Sequence, residues 1–203
     1  MKKLVVTMVA VVACVSAFAQ GKVIFGNDSN HLVTLGNASQ LSAAPQWLSL
    51  AGLACPQIGG PGAYTMGNLT AELWAGTSAA NLALAMSLPA DGLAGLPDGR
   101  FNNHNTILAS GLSGTVTFQI RVWETVAGSW TAASTQPGFV SGESPVFTAV
   151  SGSLLYNPLT LPGAPSNSTW ANGPILLTSV PEPSTFALAG LGIAGLLIFR
   201  RRK

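Results

Sequence analysis

The sequence predicts an all-β fold in which a single β-sandwich-like domain lies between two apolar terminal segments. Three observations support this prediction. Short segments alternate apolar and polar residues with a period of two, as half-buried strands do. Turns rich in glycine and proline separate these segments, and no part of the body sustains a helical period. Short strands joined by such turns are typical of a β-sandwich.

The first half of the body contains two short predicted strands and a longer one. Residues 21–27 (GKVIFGN) and 31–35 (HLVTL) are β-prone runs. Residues 36–67, rich in proline and glycine, predict a long loop with a short strand or turn around 47–50. Residues 68–76 (NLTAELWAG) alternate strictly and predict a strand with two distinct faces. One face holds Leu69, Ala71, Leu73 and Ala75, and the other holds Thr70, Glu72 and Trp74.

The second half contains the clearest predicted strand, at residues 114–125 (GTVTFQIRVWET). Its apolar face holds Val116, Phe118, Ile120 and Val122, and its other face holds Thr117, Gln119, Arg121 and Trp123. Residues 78–88 fit a helix by propensity and a strand by alternation, and the all-β context favours a strand or irregular structure. Further short strands are predicted at 106–109, 145–150, 154–161 and 175–178.

Residues 1–19 predict a cleavable secretory signal peptide. Lys2 and Lys3 precede an apolar stretch, and Ala17 and Ala19 form a small-x-small cleavage site that leaves Gln20 as the first mature residue. A competing lipobox would end at Cys14, but it lacks the usual leucine, so cleavage after Ala19 is favoured. The signal implies the Sec translocon and signal peptidase as partners, and an exported β-rich domain at 20–179.

The C-terminal end predicts a membrane-spanning helix. Residues 184–199 carry no charge, and a helix of that length spans roughly 24 Å, slightly less than the hydrocarbon core. A basic tail follows the apolar run and fixes the orientation, with the C-terminus in the cytoplasm and the body outside. The basic tail consists of Arg200, Arg201, Arg202 and Lys203.

The triplet Pro181, Glu182 and Pro183 stands immediately before the apolar run. Two prolines keep the triplet extended and outside the helix, where an enzyme at the membrane face can reach it. Residues 180–203 resemble the PEP-CTERM sorting signal of Gram-negative bacteria that make exopolysaccharide. The resemblance implies an inner-membrane intermediate, an exosortase-like processing enzyme, and delivery to the cell surface or the extracellular medium.

The body resembles a group of uncharacterised PEP-CTERM proteins. The resemblance rests on four segments in order, GKVIFGN, AELWAG, TFQIRVWE and SGESPVF, between residues 21 and 150. It implies no known activity.

The exported body is mildly acidic, although the whole chain has a formal charge of +2. Most of the basic residues belong to the two terminal segments, and between residues 20 and 180 three basic side chains face six acidic ones. The body offers no basic surface for phosphates, which argues against a nucleic-acid partner. The basic residues are Lys22, Arg100 and Arg121, and the acidic ones are Asp28, Glu72, Asp91, Asp98, Glu124 and Glu143.

The sequence predicts neither a catalytic site nor a metal or cofactor site, so a non-enzymatic protein is expected. No nucleophile-elbow, P-loop or zinc motif occurs. His31 and His104 stand far apart without a second ligand at metal spacing. Residues 91–105 are rich in Asp and Asn but lack the density of a known calcium loop. Cys55 is alone once the signal leaves, and it is expected to be a small, half-buried loop residue.

Trp74 and Trp123 are the candidate contacts to a glycan, because both fall on strand faces that the alternation assigns to the outside. We therefore expect a structural or adhesive protein in an exopolysaccharide context. The alternatives are a secreted carbohydrate-binding module and a polysaccharide-acting hydrolase. The hydrolase alternative requires Glu72, Glu124 and an aspartate to converge in a cleft.

Overall fold

A computed structural model describes residues 20–57, 64–89 and 97–181. The predicted signal peptide, the residues Glu182 and Pro183, the predicted spanning helix and the basic tail lie outside these residues. Within the described ranges, no helix is both long enough and apolar enough to cross a membrane.

The all-β prediction is confirmed in outline, because the described residues form mostly strands, arranged in two sheets, and few helices. The strands are β1 (Lys22–Phe25), β2 (Val33–Leu35), β3 (Leu69–Gly76), β4 (Ala83–Pro89), β5 (His104–Ile107), β6 (Thr115–Glu124), β7 (Val140–Glu143), β8 (Phe147–Val150), β9 (Asn157–Pro158) and β10 (Ile175–Ser179). The described residues contain one α-helix, α1, which spans Trp130–Thr135. Short 3₁₀ helices span Pro45–Leu50, Met66–Asn68, Ala79–Asn81 and Thr125–Ala127.

The larger sheet has the strand order β2-β10-β7-β6-β3-β4, and β8 pairs with β6 beside β7. The smaller sheet has the order β5-β1-β9. Two pairings are parallel, β10 with β2 and β1 with β9, and the others are antiparallel. The larger sheet therefore contains a late strand, β10, between an early strand and β7.

The core lies on one face of β3 and β6. Leu73 and Ile120 are directly paired across the two strands and are completely buried, as the alternation predicts. Residues of the smaller sheet, such as Phe25, and of the loop after β2, such as Trp47, join them in a single cluster of buried side chains. Both sheets and the long loop thus share one core, which holds β6 in place by burial of apolar surface.

The structure differs from the sequence prediction in four segments. The turn expected around 47–50 is a 3₁₀ helix with Trp47 fully buried. The strand expected at 154–161 is reduced to Asn157–Pro158, and Leu154 and Leu155 before it are exposed. The prediction missed β7 and α1, because β7 is a polar segment with a glycine that is held by strands on both sides.

Asn27 links three segments beside the smaller sheet. Its side chain is 2% exposed, and its Nδ2 donates to the carbonyl oxygens of His31 and Gly99, at 2.8 Å each. Its Oδ1 accepts a hydrogen bond from the backbone N–H of Phe101, also at 2.8 Å. One amide side chain therefore hydrogen-bonds to three buried backbone groups outside the strands, and the Gly99 carbonyl oxygen also accepts from the Val33 N–H at 2.8 Å.

Candidate functional site

The C-terminal segment leaves the body directly from an anchored strand. The Ser179 backbone N–H and its hydroxyl both donate to the Gln40 carbonyl oxygen, at 2.9 Å each, and its Oγ accepts from the Ala43 N–H at 3.3 Å. Two residues later, Pro181 is exposed. The predicted processing triplet therefore begins at the surface, two residues after the end of an interior strand.

An aromatic and charged cluster lies on the outer face of the larger sheet. The Arg121 guanidinium carbon lies 4.3 Å from the centre of the Trp74 ring and 5.3 Å from the centre of the Trp130 ring. The Arg121 Nε lies 3.5 Å from Oε2 of Glu143 on the neighbouring strand. We call Trp74, Arg121, Trp130 and Glu143 the Arg121 cluster.

The fold builds the Arg121 cluster from three neighbouring strands and α1. Strand register places Glu72, Arg121 and Glu143 in one row across β3, β6 and β7. Oε2 of Glu72 accepts a hydrogen bond from Trp74 Nε1 at 2.9 Å, which orients the indole. A cation close to two aromatic rings is stabilised by their quadrupoles, and the Glu143 carboxylate offers the opposite charge. The result is a fixed surface with two partly exposed indoles.

The predicted exposure of Trp123 is wrong. The residue is 6% exposed, and its Nε1 is a buried donor with no hydrogen-bond partner among the described residues. The reason is α1, which packs on β6 and β7, with Ala133 fully buried. Trp74 remains partly exposed, but its aromatic companion is Trp130, which the sequence analysis did not select. Ser129 was a sequence signal for the start of α1, because serine is a common N-cap residue. In the structure its side chain caps α1 by accepting from the Ala132 N–H at 3.1 Å.

Glu72 and Glu124, the carboxylates of the hydrolase alternative, do not converge. Glu72 pairs with Arg121 and Glu124 pairs with Leu69, so the period of two places them on opposite faces of the sheet. Each carboxylate also accepts a hydrogen bond from an indole, Glu72 from Trp74 and Glu124 from Trp47 at 3.1 Å. These two acids do not form a catalytic pair.

Cys55 is fully buried, deeper than the sequence analysis expected. Burial raises the pKa of its thiol to about 12, and the nearby Asp98 carboxylate acts in the same direction. The thiol is therefore protonated at neutral pH and is a poor nucleophile.

His31 is also buried, with Nδ1 2.7 Å from Asp28 Oδ1 and its ring against Trp170. No three metal-ligating side chains come together anywhere in the described ranges.

Comparison with known proteins finds one similarity, and it covers residues 179–203. These residues match the model of the PEP-CTERM protein-sorting motif. Neither the curated proteins nor the solved structures contain a match to the chain. The motif implies export through a membrane-anchored intermediate and an exosortase-type processing partner. The chain therefore carries a C-terminal PEP-CTERM sorting motif, which begins at the final residue of β10.

Proposed function

We propose that the chain delivers a folded structural or adhesive domain to the cell surface or the extracellular matrix, in an exopolysaccharide context. The observation that carries the proposal is the junction between body and motif. The motif begins at residue 179, the residue at which β10 ends. Cleavage near the triplet would therefore free the body without removing any residue of its sheets.

The surface chemistry of the body supports a role in a hydrated matrix. Three basic and six acidic side chains between residues 20 and 180 leave a weakly charged surface, in which hydroxyl and amide groups are abundant. Such a surface makes hydrogen bonds to polysaccharide without strong attraction to phosphate polymers. A non-enzymatic role also fits the separation of Glu72 from Glu124.

We expect the native protein to end at or near Pro183, because its sorting motif is processed at the membrane face. Mass spectrometry of the protein purified from its host measures the C-terminus. Deletion of residues 184–203 should move the body from the membrane fraction to the soluble exported fraction, since the predicted anchor is lost. An intact Lys203 in the native surface protein would contradict processing and would make the tail a permanent anchor.

A second candidate function is carbohydrate binding at the Arg121 cluster. The specific observation is that the Trp74 and Trp130 rings both lie close to the Arg121 guanidinium carbon, at 4.3 and 5.3 Å, on the outer face of the sheet. An indole can stack on the apolar face of a sugar ring, while neighbouring charged groups bond to its hydroxyls.

Substitution Trp74→Ala is expected to abolish glycan binding if the Arg121 cluster is the binding surface, because it removes one of its two aromatic faces. Binding to a glycan array measures this effect on the mature protein. Leu154→Ala is the matched control, since Leu154 is an exposed apolar residue near β1 in the other sheet. If the unaltered protein binds no glycan, this second function is wrong.

A further inference from the structure

A cavity of about 400 Å³ lies at the end of β6. Its lining residues are Tyr64, Gly67, Asn68, Glu124, Thr125 and Val126. Val126 is 76% exposed and Glu124 is 2% exposed, so the lining runs from the surface down to a buried carboxyl group. The volume lies within the range of pockets that hold small molecules, roughly 300–1,000 Å³.

The Glu124 carboxylate is held by one of its two oxygens. Oε2 accepts hydrogen bonds from Trp47 Nε1 at 3.1 Å, from the Val140 N–H at 3.3 Å and from Gln46 Nε2 at 3.5 Å. Oε1 accepts none from the described residues, and it is not among their buried atoms that lack a partner. Oε1 is therefore the oxygen that remains accessible from the cavity.

Glu124 has no counter-ion in the body. The three basic side chains between residues 20 and 180 are all engaged elsewhere. Lys22 lies over the Tyr156 ring, Arg100 donates to the Asn27 carbonyl oxygen, and Arg121 projects from the other face of β6. A buried carboxylate without a cation carries a large desolvation cost, which an incoming positive charge would offset.

An aromatic wall accompanies the carboxylate. The Tyr64 ring lies 4.9 Å from the ring of Trp47, centre to centre, and Trp47 in turn holds Glu124. Carboxylate and aromatic ring together form the combination that attracts an organic cation, the first by charge and hydrogen bonding and the second through its quadrupole.

We propose that this cavity binds a small organic ammonium ion, with Oε1 of Glu124 accepting a hydrogen bond from the ammonium group and the Tyr64 ring forming the adjacent wall. A neutral polyol of the same size lacks the charge that Glu124 requires. Burial raises the pKa of Glu124 against the lowering effect of its hydrogen bonds, which fits a carboxylate that lacks a cation in the free protein.

The test compares ligands of one ring size that differ in charge. Glucosamine, glucose and N-acetylglucosamine are titrated at pH 7 into the mature protein purified from its host, and binding is measured by ligand-observed NMR. Glucosamine should bind at least about tenfold more tightly than either neutral sugar, as expected for one charge-assisted hydrogen bond. Equal binding of glucose and glucosamine, or no binding of glucosamine, overturns the proposal.

The decisive variant is Glu124→Gln, which removes the charge but keeps an oxygen that accepts from Trp47 and Val140. It should weaken glucosamine binding at least about tenfold. Asp28→Asn is the matched control, because it removes a carboxylate that lines neither the cavity nor the Arg121 cluster, keeps an oxygen that accepts from the Asn30 N–H, and should leave binding unchanged. Unaltered binding by Glu124→Gln overturns the proposal.

A second pair of variants leaves Glu124 in place. Val126→Lys introduces a tethered ammonium group at the exposed end of the cavity and should compete with glucosamine. Val126→Met adds similar length without charge and should retain binding. If both Val126 variants bind glucosamine equally well, the charge of Glu124 is not what the ligand recognises, and the proposal is wrong.

Discussion

Ending the chain after Pro174 is expected to abolish folding of the body, whereas ending it after Pro181 is expected to preserve the fold. The shorter chain lacks β10, an interior strand between β2 and β7. It loses the side chains of Ile175 and Leu177, which are 1% and 0% exposed. Deleting one such side chain costs about 2–5 kcal/mol, and a whole domain is stable by only about 5–15 kcal/mol.

The two truncations differ by seven residues, and both lack the predicted anchor, so their comparison isolates the strand from the tail. Both chains are exported behind the same signal peptide, and folding is measured by circular dichroism and by resistance to protease. The chain that ends at Pro181 is the matched control. Cooperative thermal unfolding of the chain that ends at Pro174 would contradict the interior position of β10.

Asn27→Ala is expected to lower the free energy of unfolding by about 2 kcal/mol or more. The substitution leaves two buried backbone groups without partners, the His31 carbonyl oxygen and the Phe101 N–H, and removes one of the two hydrogen bonds to the Gly99 carbonyl oxygen. Each unsatisfied buried group costs about 1–3 kcal/mol. Urea unfolding followed by tryptophan fluorescence measures the loss.

Two further variants complete the Asn27 experiment. Asn27→Asp retains an acceptor for Phe101 but sets a second oxygen against the two carbonyl groups, so it should also destabilise the fold. Asn105→Ala removes an exposed amide on β5, and such surface changes stay within about 0.5 kcal/mol. A loss below 1 kcal/mol for Asn27→Ala would show that water replaces the lost hydrogen bonds.

Much of the larger sheet could be predicted from the sequence, since strict alternation over β3 and β6 leaves only one way to bury their apolar faces. The same alternation does not reveal what covers the opposite face. The alternation places both Trp123 and Trp74 on the outer face of the sheet, but α1 covers Trp123 and leaves Trp74 partly exposed. Coverage depends on where a short helix packs, which is a tertiary property.

The sorting motif could be predicted because it is linear: charge, apolar length and proline position are all local. The cavity at Glu124 could not, because the 3₁₀ helices around residues 45–50 and 66–68 meet the end of β6 only in the fold. The sequence contained one signal for the unusual environment of Glu124. The alternation of residues 114–125 places Glu124 on the face of Val122, and a charged residue in an apolar series indicates a special environment.

The position of β10 also sets the order in which the molecule can be completed. Val33, near the start of the body, pairs with Ile175, near its end. A chain that crosses the membrane from its N-terminus holds β2 and β7 with open edges until its last body residues arrive. Pairings between such distant residues form slowly. If export begins at the N-terminus, as the predicted signal peptide implies, the sheet closes only when the sorting motif reaches the membrane, and completion of the fold then coincides with arrival of the motif.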